Sequence, residues 1–253
     1  MAGQGGSKLS PLPVLAGLLV VMGGVGLLRD RESSEAMPGC APEADAACDT
    51  NPAPSGEPGQ RSAPVLDAAE ACQDVGYLCA ELATTDRIRL RRWRDFSGTV
   101  VVHVPRPDFE DRGEAARLQE AAARGLRAWN GQPFAVLTDL RGEREAHFQV
   151  RWSPRLTGTQ IGLARTQWSS VAGLSVVAIE LSTRNPLNPE RLNDARQVQL
   201  TAAHEMGHAL GLPHSDSERD VMYPTNTASS MSAQDYRTME ALYELEDGTE
   251  LVP

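Results

Sequence analysis

The chain has 253 residues, of which 41% are hydrophobic, so it can build a sizeable packed core as one large domain or two small ones and is not a disordered protein. Its formal net charge of −10 at pH 7 argues against nucleic-acid binding, because such proteins usually carry a concentrated basic face. Residues 87–94 hold five arginines, and we interpret this run as a solvated connector. The arginine-rich, lysine-poor composition indicates a GC-rich genome.

The amino terminus carries an uncharged apolar run at residues 11–28, between Lys8 and Arg29. A secretory signal has an apolar core of about 7–15 residues, whereas a membrane-spanning helix needs about 20. We therefore predict that residues 1–29 form a signal peptide or a membrane anchor, and both alternatives stay open. Either one predicts an extracytoplasmic protein, secreted or anchored, that contacts the membrane only through this segment if it is not cleaved.

A flexible linker is predicted at residues 30–65, which are rich in Pro, Ala and Gly and cannot bury enough apolar surface to fold alone. Residues 66–94 form a short cysteine-containing segment with helical composition at 66–83, which could fold back on the domain or belong to a propeptide. The remaining residues, 95–253, are predicted to form the folded domain.

All four cysteines precede that domain, and an even count after an export signal favours disulfides. Cys72 and Cys79 would be about 10 Å apart along a continuous helix, which is more than the roughly 4.4–6.8 Å that a disulfide tolerates between Cα atoms. We therefore expect Cys40 and Cys48 to pair with Cys72 and Cys79, in an order that the sequence does not determine.

Within the folded domain, β-branched and apolar runs indicate strands, and apolar residues at helical spacing indicate helices. The run at 174–181 is almost continuously apolar, which predicts a strand in the interior of the sheet. This order of elements indicates an α+β or α/β domain. The predicted strands are 98–104, 134–140, 146–152, 161–168 and 174–181, and the predicted helices are 114–130, 193–210 and 232–245.

Three histidines near the end of the second long helix predict a metal site. His204 and His208 are four residues apart, which places both rings on one helix face about 6 Å apart along the axis. Gly211 falls where the helix would end and can take the left-handed conformation that turns the chain, which returns His214 to the same ion. Three imidazoles leave one coordination position open, as in catalytic zinc sites.

Glu205 follows the first histidine and is predicted to be the general base. Zinc lowers the pKa of a coordinated water to about 7, so a carboxylate can take its proton near neutral pH and later give it to a leaving amine. The sequence thus predicts a metalloendopeptidase that uses one zinc ion to hydrolyse peptide bonds. The alternative is a catalytically inactive zinc-containing module that binds peptides.

The pattern His-Glu-x-x-His-x-x-Gly-x-x-His at 204–214 resembles the metzincin clan, with Met222 as the methionine of the turn below the ligands. Ser215 after the third histidine, the Met-Tyr-Pro sequence at 222–224 and the Ser-x-x-Asp start of the last helix at Ser232 are similar to the matrixins. This resemblance implies a zincin-like α+β domain with a twisted, mostly parallel five-stranded sheet, two long helices, a Met-turn and a C-terminal helix.

The resemblance also implies how a substrate would bind. Gly162, Leu163 and Ala164 would lie on the edge strand along which an extended peptide adds. Residues 224–230 would form the wall of the pocket for the side chain that follows the cut bond, and Tyr223 and Pro224 would be among the residues that bind the substrate. Asp235 would hold the last helix to the Met-turn.

The expected partners are protein or peptide substrates, and we expect a monomer that binds no nucleic acid. Calcium could bind carbonyl-rich loops such as 182–194, but no recognisable calcium loop supports it. His103 and His147 lie in separate predicted strands, and we interpret them as structural residues rather than as ligands of a second zinc.

Overall fold

The computed structural model describes residues 63–94, 98–131 and 133–253. The predicted signal or anchor, most of the predicted linker, Cys40 and Cys48 lie outside these residues. Strands and helices are numbered along the chain. The strands are β1 (Val65–Asp67), β2 (Ile88–Arg89), β3 (Thr99–His103), β4 (Ala135–Asp139), β5 (Phe148–Ser153), β6 (Gly162–Ser169), β7 (Gly173–Ser182), β8 (Arg184–Asn185), β9 (Asn188–Leu192) and β10 (Glu250–Val252), and the helices are α1 (Ala68–Ala71), α2 (Arg112–Arg127), α3 (Ala195–Leu210) and α4 (Ala233–Glu244).

The main sheet has five strands in the order β4-β3-β5-β7-β6. All neighbouring pairs are parallel except β6 with β7, which is antiparallel. The apolar strand β7 lies in the interior of the sheet, between β5 and β6, as its sequence predicted. Strand β6 lies at the edge. The mostly parallel five-stranded α+β fold is therefore confirmed.

Helices α2 and α3 pack against each other below the sheet, with α3 next to β6 and β7. Each helix begins at an aspartate, Asp111 for α2 and Asp194 for α3, whose side chain accepts from backbone N–H groups of the first turn. The helices approach closely because Gly125 faces α3, and a Cβ at that position would overlap the Gln199 carbonyl. The core fills the space between these helices and the inner face of the sheet.

The segment before the main sheet folds onto the domain. Strand β10 lies between β1, in parallel, and β2, antiparallel, so both ends of the described chain share a second sheet of three strands. Tyr77, Leu78 and Leu90 belong to the buried core. Neither this sheet nor the short hairpin of β8 and β9 was predicted from the sequence, because these strands are short and carry no alternating pattern.

The predicted continuous helix at 66–83 is wrong, and so is the predicted pairing of the cysteines. Helix α1 ends at Ala71, and Asp74 and Gly76 both have positive φ, which turns the chain back on itself. The Cα atoms of Cys72 and Cys79 are therefore only 5.9 Å apart, and these two residues form a disulfide. The distance argument from the sequence failed because its premise, an uninterrupted helix, does not hold.

Among the described residues, none of the helices combines the length and the apolar character needed to cross a bilayer.

The disulfide can be tested through stability. Replacing Cys72 and Cys79 together by serine should lower the free energy of unfolding by about 2 to 3 kcal/mol, because the unfolded chain loses a closed loop. Urea unfolding would measure this. The matched control replaces Cys40 and Cys48 by serine and should leave a Cys72–Cys79 cross-linked peptide in a non-reducing digest. Loss of that peptide in the control would contradict the observed pairing.

Candidate metal centre

Helix α3 brings two of the three predicted histidines to the centre of the domain. His204 and His208 lie one turn apart and are both buried. The helix ends at Gly211, whose φ of 103° is left-handed and lets the chain turn back. Side chains are excluded at this position, because a Cβ would overlap the Arg91 carbonyl. The turn places the half-buried His214 beside the other two rings.

The three rings direct one nitrogen each to a common point. The Nε2 atom of His208 is 3.1 Å from the Nε2 atom of His204 and 3.1 Å from that of His214. Such a set of three ligand atoms, all within 4.8 Å of one another, occurs once among the described residues. The three imidazoles therefore form the candidate metal site that the sequence spacing predicted.

Backbone carbonyls orient two of these rings. The Nδ1 atom of His204 is 2.7 Å from the Val221 carbonyl, and that of His208 is 2.9 Å from the Leu212 carbonyl. Because a carbonyl oxygen only accepts hydrogen bonds, each Nδ1 must carry the proton, which leaves the Nε2 lone pair directed inward. Burial lowers the pKa of His204 to about 3 and that of His208 well below its usual range, so both rings are neutral at pH 7.

Glu205 is buried beside this site and under the edge strand. Its Oε2 atom accepts a 2.7 Å hydrogen bond from the Ala164 N–H, whereas Oε1 has no partner among the described residues. Gly162 gives the carboxylate its space, because a Cβ there would lie 2.6 Å from both Cγ and Oε1 of Glu205. Burial raises the pKa of this carboxyl to about 8, and the bond from Ala164 opposes that shift.

Met222 lies directly beneath helix α3. A Cβ at Gly207 would overlap its sulfur atom, so the glycine permits this close packing. The Ser215 N–H donates a 2.9 Å hydrogen bond to the Met222 carbonyl, which joins the loop of the third histidine to the turn that carries Met222. This is the arrangement expected for a Met-turn.

Asp235 connects this turn to two other parts of the domain. Its buried carboxylate accepts from the N–H groups of Val221 at 3.0 Å and Ser232 at 2.8 Å, and from the Tyr77 hydroxyl at 2.9 Å. The sequence predicted that Asp235 holds the last helix to the Met-turn, and these bonds are consistent with it. The contribution of Tyr77 was missed, because nothing in the local sequence pairs residues 158 positions apart.

A cavity of about 270 Å³ begins at Glu205 and His208 and runs along β6. Leu163 and Ala164 line it on one side, and their predicted role at a substrate edge stays a prediction. Tyr223 and Pro224 are half-buried and do not line this cavity, so their predicted role at a pocket wall stays a prediction. The opposite wall was not predicted from the sequence. It comes from the segment before the main sheet, including Leu78, Ile88 and Leu90.

The other two histidines of the chain take part in backbone contacts. The Nδ1 atom of His147 accepts a 3.0 Å hydrogen bond from the Val101 N–H, and Nδ1 of His103 is 3.0 Å from the Asp139 carbonyl. Both therefore join strand β3 to neighbouring segments.

The main sheet is mostly parallel and has an antiparallel edge strand. Below it, two histidines of α3 converge with a third histidine that follows a glycine turn. This fold and this site together define the metzincin class. A family model described as Matrixin matches residues 114–244, which is just over half of the chain. The chain belongs to the matrixin family, and matrixins typically bind zinc.

Two relatives match a short part of the chain. It is 44% identical over 50 residues to macrophage metalloelastase of Rattus norvegicus and 46% identical over 50 residues to macrophage metalloelastase of Oryctolagus cuniculus. Each alignment covers 17% of this chain, and 10% and 11% of the respective relatives. The chain thus matches about a tenth of the length of these relatives.

Replacing Asp235 by Asn tests its central position. The amide nitrogen of Asn would face at least one backbone N–H that now donates to the carboxylate, so buried donors would be left unpaired. We therefore expect the free energy of unfolding to fall by about 2 to 4 kcal/mol. Urea unfolding measures this. Asp216→Asn, an exposed change in the adjacent loop, is the matched control. A variant as stable as its parent would contradict the role of Asp235.

The buried histidines predict a pH dependence for the metal-free protein. Unfolded histidine takes up a proton below about pH 6.5, but folded His204 does so only near pH 3. The unfolded chain therefore binds more protons in this window, and the free energy of unfolding should fall as the pH drops from about 6.5 toward 3, by about 2 kcal/mol per buried histidine at pH 5. The loss is measured by urea unfolding with a chelator at pH 7.5 and pH 5 in the Glu205→Gln variant, because protonation of the buried Glu205 carboxyl, whose pKa is raised to about 8, stabilises the folded parent over the same pH range. His204→Leu should reduce it, and equal stability at both pH values would contradict the assignment.

Proposed function

We propose that this protein is a zinc-dependent endopeptidase that hydrolyses peptide bonds in peptide or protein substrates, with Glu205 as its general base. One observation carries the proposal: in a matrixin chain, three neutral imidazole nitrogens meet beside a buried carboxylate that keeps one oxygen unpartnered.

The donor set fits zinc. Zinc–nitrogen bonds of about 2.0–2.1 Å at tetrahedral angles require nitrogens about 3.3 Å apart, close to the 3.1 Å between the Nε2 atom of His208 and those of its two neighbours. His204, His208 and His214 would hold the ion and leave one coordination position open. Zinc in this position supplies a Lewis acid that polarises a peptide carbonyl and acidifies water.

The chain's own residues supply the proton transfers. The Ala164 N–H fixes Oε2 of Glu205, so the unpartnered Oε1 is the atom that takes a proton from the attacking water. Its raised pKa suits a group that must also return this proton to the leaving amine near neutral pH. The low pKa values of His204 and His208 keep these rings neutral, as metal ligands must be.

Strand β6 provides the edge for an extended peptide. The Ala164 N–H points away from β7 toward Glu205, so backbone groups at this part of β6 face the cleft rather than the sheet. An added peptide strand would bring its own carbonyl groups past Glu205 and the histidines. Leu163 and Ala164, with Gly162 before them, are thus proposed to position the substrate main chain.

The test uses the full chain, purified and loaded with zinc. Metal content is measured first, and cleavage of a mixed peptide library is followed by mass spectrometry. We expect one zinc per chain, and kcat/KM for any cleaved peptide should fall at least about 100-fold in Glu205→Gln, because the proton acceptor is lost. Zinc content should be unchanged in that variant. Glu240→Gln, on the exposed side of α4, is the matched control and should retain activity.

The remaining outcomes separate the alternatives. A protein that binds zinc but cuts no peptide would be the inactive peptide-binding module. Cleavage that survives in Glu205→Gln would contradict the role of Glu205. Absence of bound zinc would contradict the metal site itself.

A further inference from the structure

The cavity beside Glu205 and His208 has walls from two different parts of the chain. One wall comes from β6 and the end of α3, and the other comes from the segment before the main sheet, with Leu78, Ile88 and Leu90. The family model matches only from residue 114 onward, so this second wall lies outside the matched region. The family match therefore does not account for what this wall does in the cleft.

The side chains that face each other across this cavity are apolar. Leu78 and Leu90 are buried members of the core, whereas Ile88 and, on the β6 side, Leu163 are half-buried. Apolar surface that stays accessible to water beside a reactive centre is covered favourably by an apolar group of a ligand. The cavity thus complements an apolar side chain.

The strand register directs Ile88 toward this cavity. Leu251 of β10 is directly opposite Leu66 of β1 on one side and Ile88 of β2 on the other. Directly opposed residues share a face of the sheet, and Leu251 is fully buried in the core. Ile88 therefore faces the interior of the domain, where it lines the cavity. Leu66 shares that face but does not line the cavity.

The charged side chains of this wall have other partners or face water. Three arginines line the cavity: Arg87, Arg89 and Arg91. Arg87 and Arg89 form ion pairs with Glu250 at 2.7 and 2.6 Å. The guanidinium groups of Arg89 and Arg91 lie over the Trp168 ring, at 5.3 and 5.6 Å from its centroid. Glu81 is exposed to solvent. The apolar side chains, rather than these charges, are left for a ligand.

The wall is fixed to the rest of the domain by backbone hydrogen bonds. The Leu90 N–H donates to the Thr249 carbonyl at 2.8 Å, and the Gly248 N–H donates to the Leu90 carbonyl at 2.9 Å. The Leu174 N–H donates to the Arg92 carbonyl at 3.0 Å, which joins the segment to β7. The cavity is preformed, which limits the entropy lost when a ligand binds.

A peptide added to β6 would reach this cavity directly. Its main chain would lie about 4.8 Å from β6, with no other strand between the two. Ala164 and Thr166 both line the cavity, and residues two apart on a strand share one face. The peptide side chains on that face would enter the cavity. Such side chains recur at every second residue, and the cavity begins at His208, so one of them lies within two residues of the bond held at the metal.

We propose that Leu78, Ile88 and Leu90, together with Leu163, form an apolar subsite that selects a large apolar substrate side chain, such as leucine, within two residues of the cut bond. The segment before the main sheet is then a determinant of specificity. This inference rests on the proposed endopeptidase function and specifies its substrate class.

The test measures binding separately from cleavage. Fluorescent peptides carry either Leu or Gln, which are similar in size, at each of several successive positions. They are titrated by anisotropy against the zinc-loaded Glu205→Gln chain, and their cleavage by the unmodified chain gives kcat/KM. At one position within two residues of the cut bond, Leu should be favoured over Gln by about tenfold in both measurements. Because the contact is apolar, about 0.5 M sodium chloride should not reduce this ratio.

Variants assign the preference to the N-terminal wall. Ile88→Gln should reduce the ratio of Leu to Gln at that position at least about threefold, because the amide is desolvated by an apolar side chain. Ile88→Leu keeps the wall apolar and should retain the preference. Leu66→Gln is the matched control, because Leu66 is opposite the same Leu251 but does not line the cavity. This control should also retain the preference.

Zinc content identifies the variants that are folded. If Ile88→Gln binds no zinc, Leu163→Gln places the same amide on the other side of the cavity, and the same reduction is expected. Equal binding of Leu and Gln peptides at every position would overturn the subsite, and so would a Leu preference that a zinc-loaded Ile88→Gln chain retains in full. If no peptide is cut, the proposed function fails, but the binding ratios still decide whether this wall selects an apolar residue.

Discussion

The buried carboxylate of Asp235 is the constraint on which the rest of the site depends. It accepts hydrogen bonds from the Met-turn, from the start of α4 and from Tyr77 of the N-terminal segment. The Val221 residue that donates to Asp235 through its N–H also provides the carbonyl that orients the ring of His204. One residue therefore separates this carboxylate from a ligand of the proposed zinc. A carboxylate buried without hydrogen-bond partners would cost several kcal/mol, so moving any of these segments away from Asp235 would destabilise the fold.

The N-terminal segment is held to the domain by contacts of the same kind. Gly211 must be a glycine to turn the chain toward His214, and the space left by its missing Cβ is occupied by the Arg91 carbonyl. The Trp93 indole donates to the Ala209 carbonyl at 2.8 Å, near the same end of α3. Residues 78–91 consequently supply one wall of the cleft. The sequence analysis placed the start of the folded domain at residue 95. The segment before that residue nevertheless packs into the core of the domain.

The parts that could be predicted from the sequence are those encoded locally. The four-residue spacing of His204 and His208, the glycine stop and the apolar run of β7 each depend on one stretch of chain, and the structure shows these elements where they were expected. The contact of Tyr77 with Asp235 depends on positions far apart in the chain. The cysteines were paired wrongly because two residues with positive φ interrupt a segment whose composition is helical. Local composition does not predict this turn, because only one of the two residues with positive φ is a glycine and the other is Asp74.

The proposed chemistry follows from how closely β6 lies on α3. The missing Cβ of Gly162 leaves room for the Glu205 side chain, and the Ala164 N–H donates to its Oε2 atom. The carboxylate is thereby buried, which raises its pKa, and one of its oxygens is fixed. Because residues along a strand alternate, this same placement turns Leu163 and Arg165 to the opposite face of the sheet. A one-residue shift in the register of β6 would therefore remove the partner of Glu205 and turn Leu163 toward the helix. The register between β6 and β7 therefore sets the environment of the proposed general base.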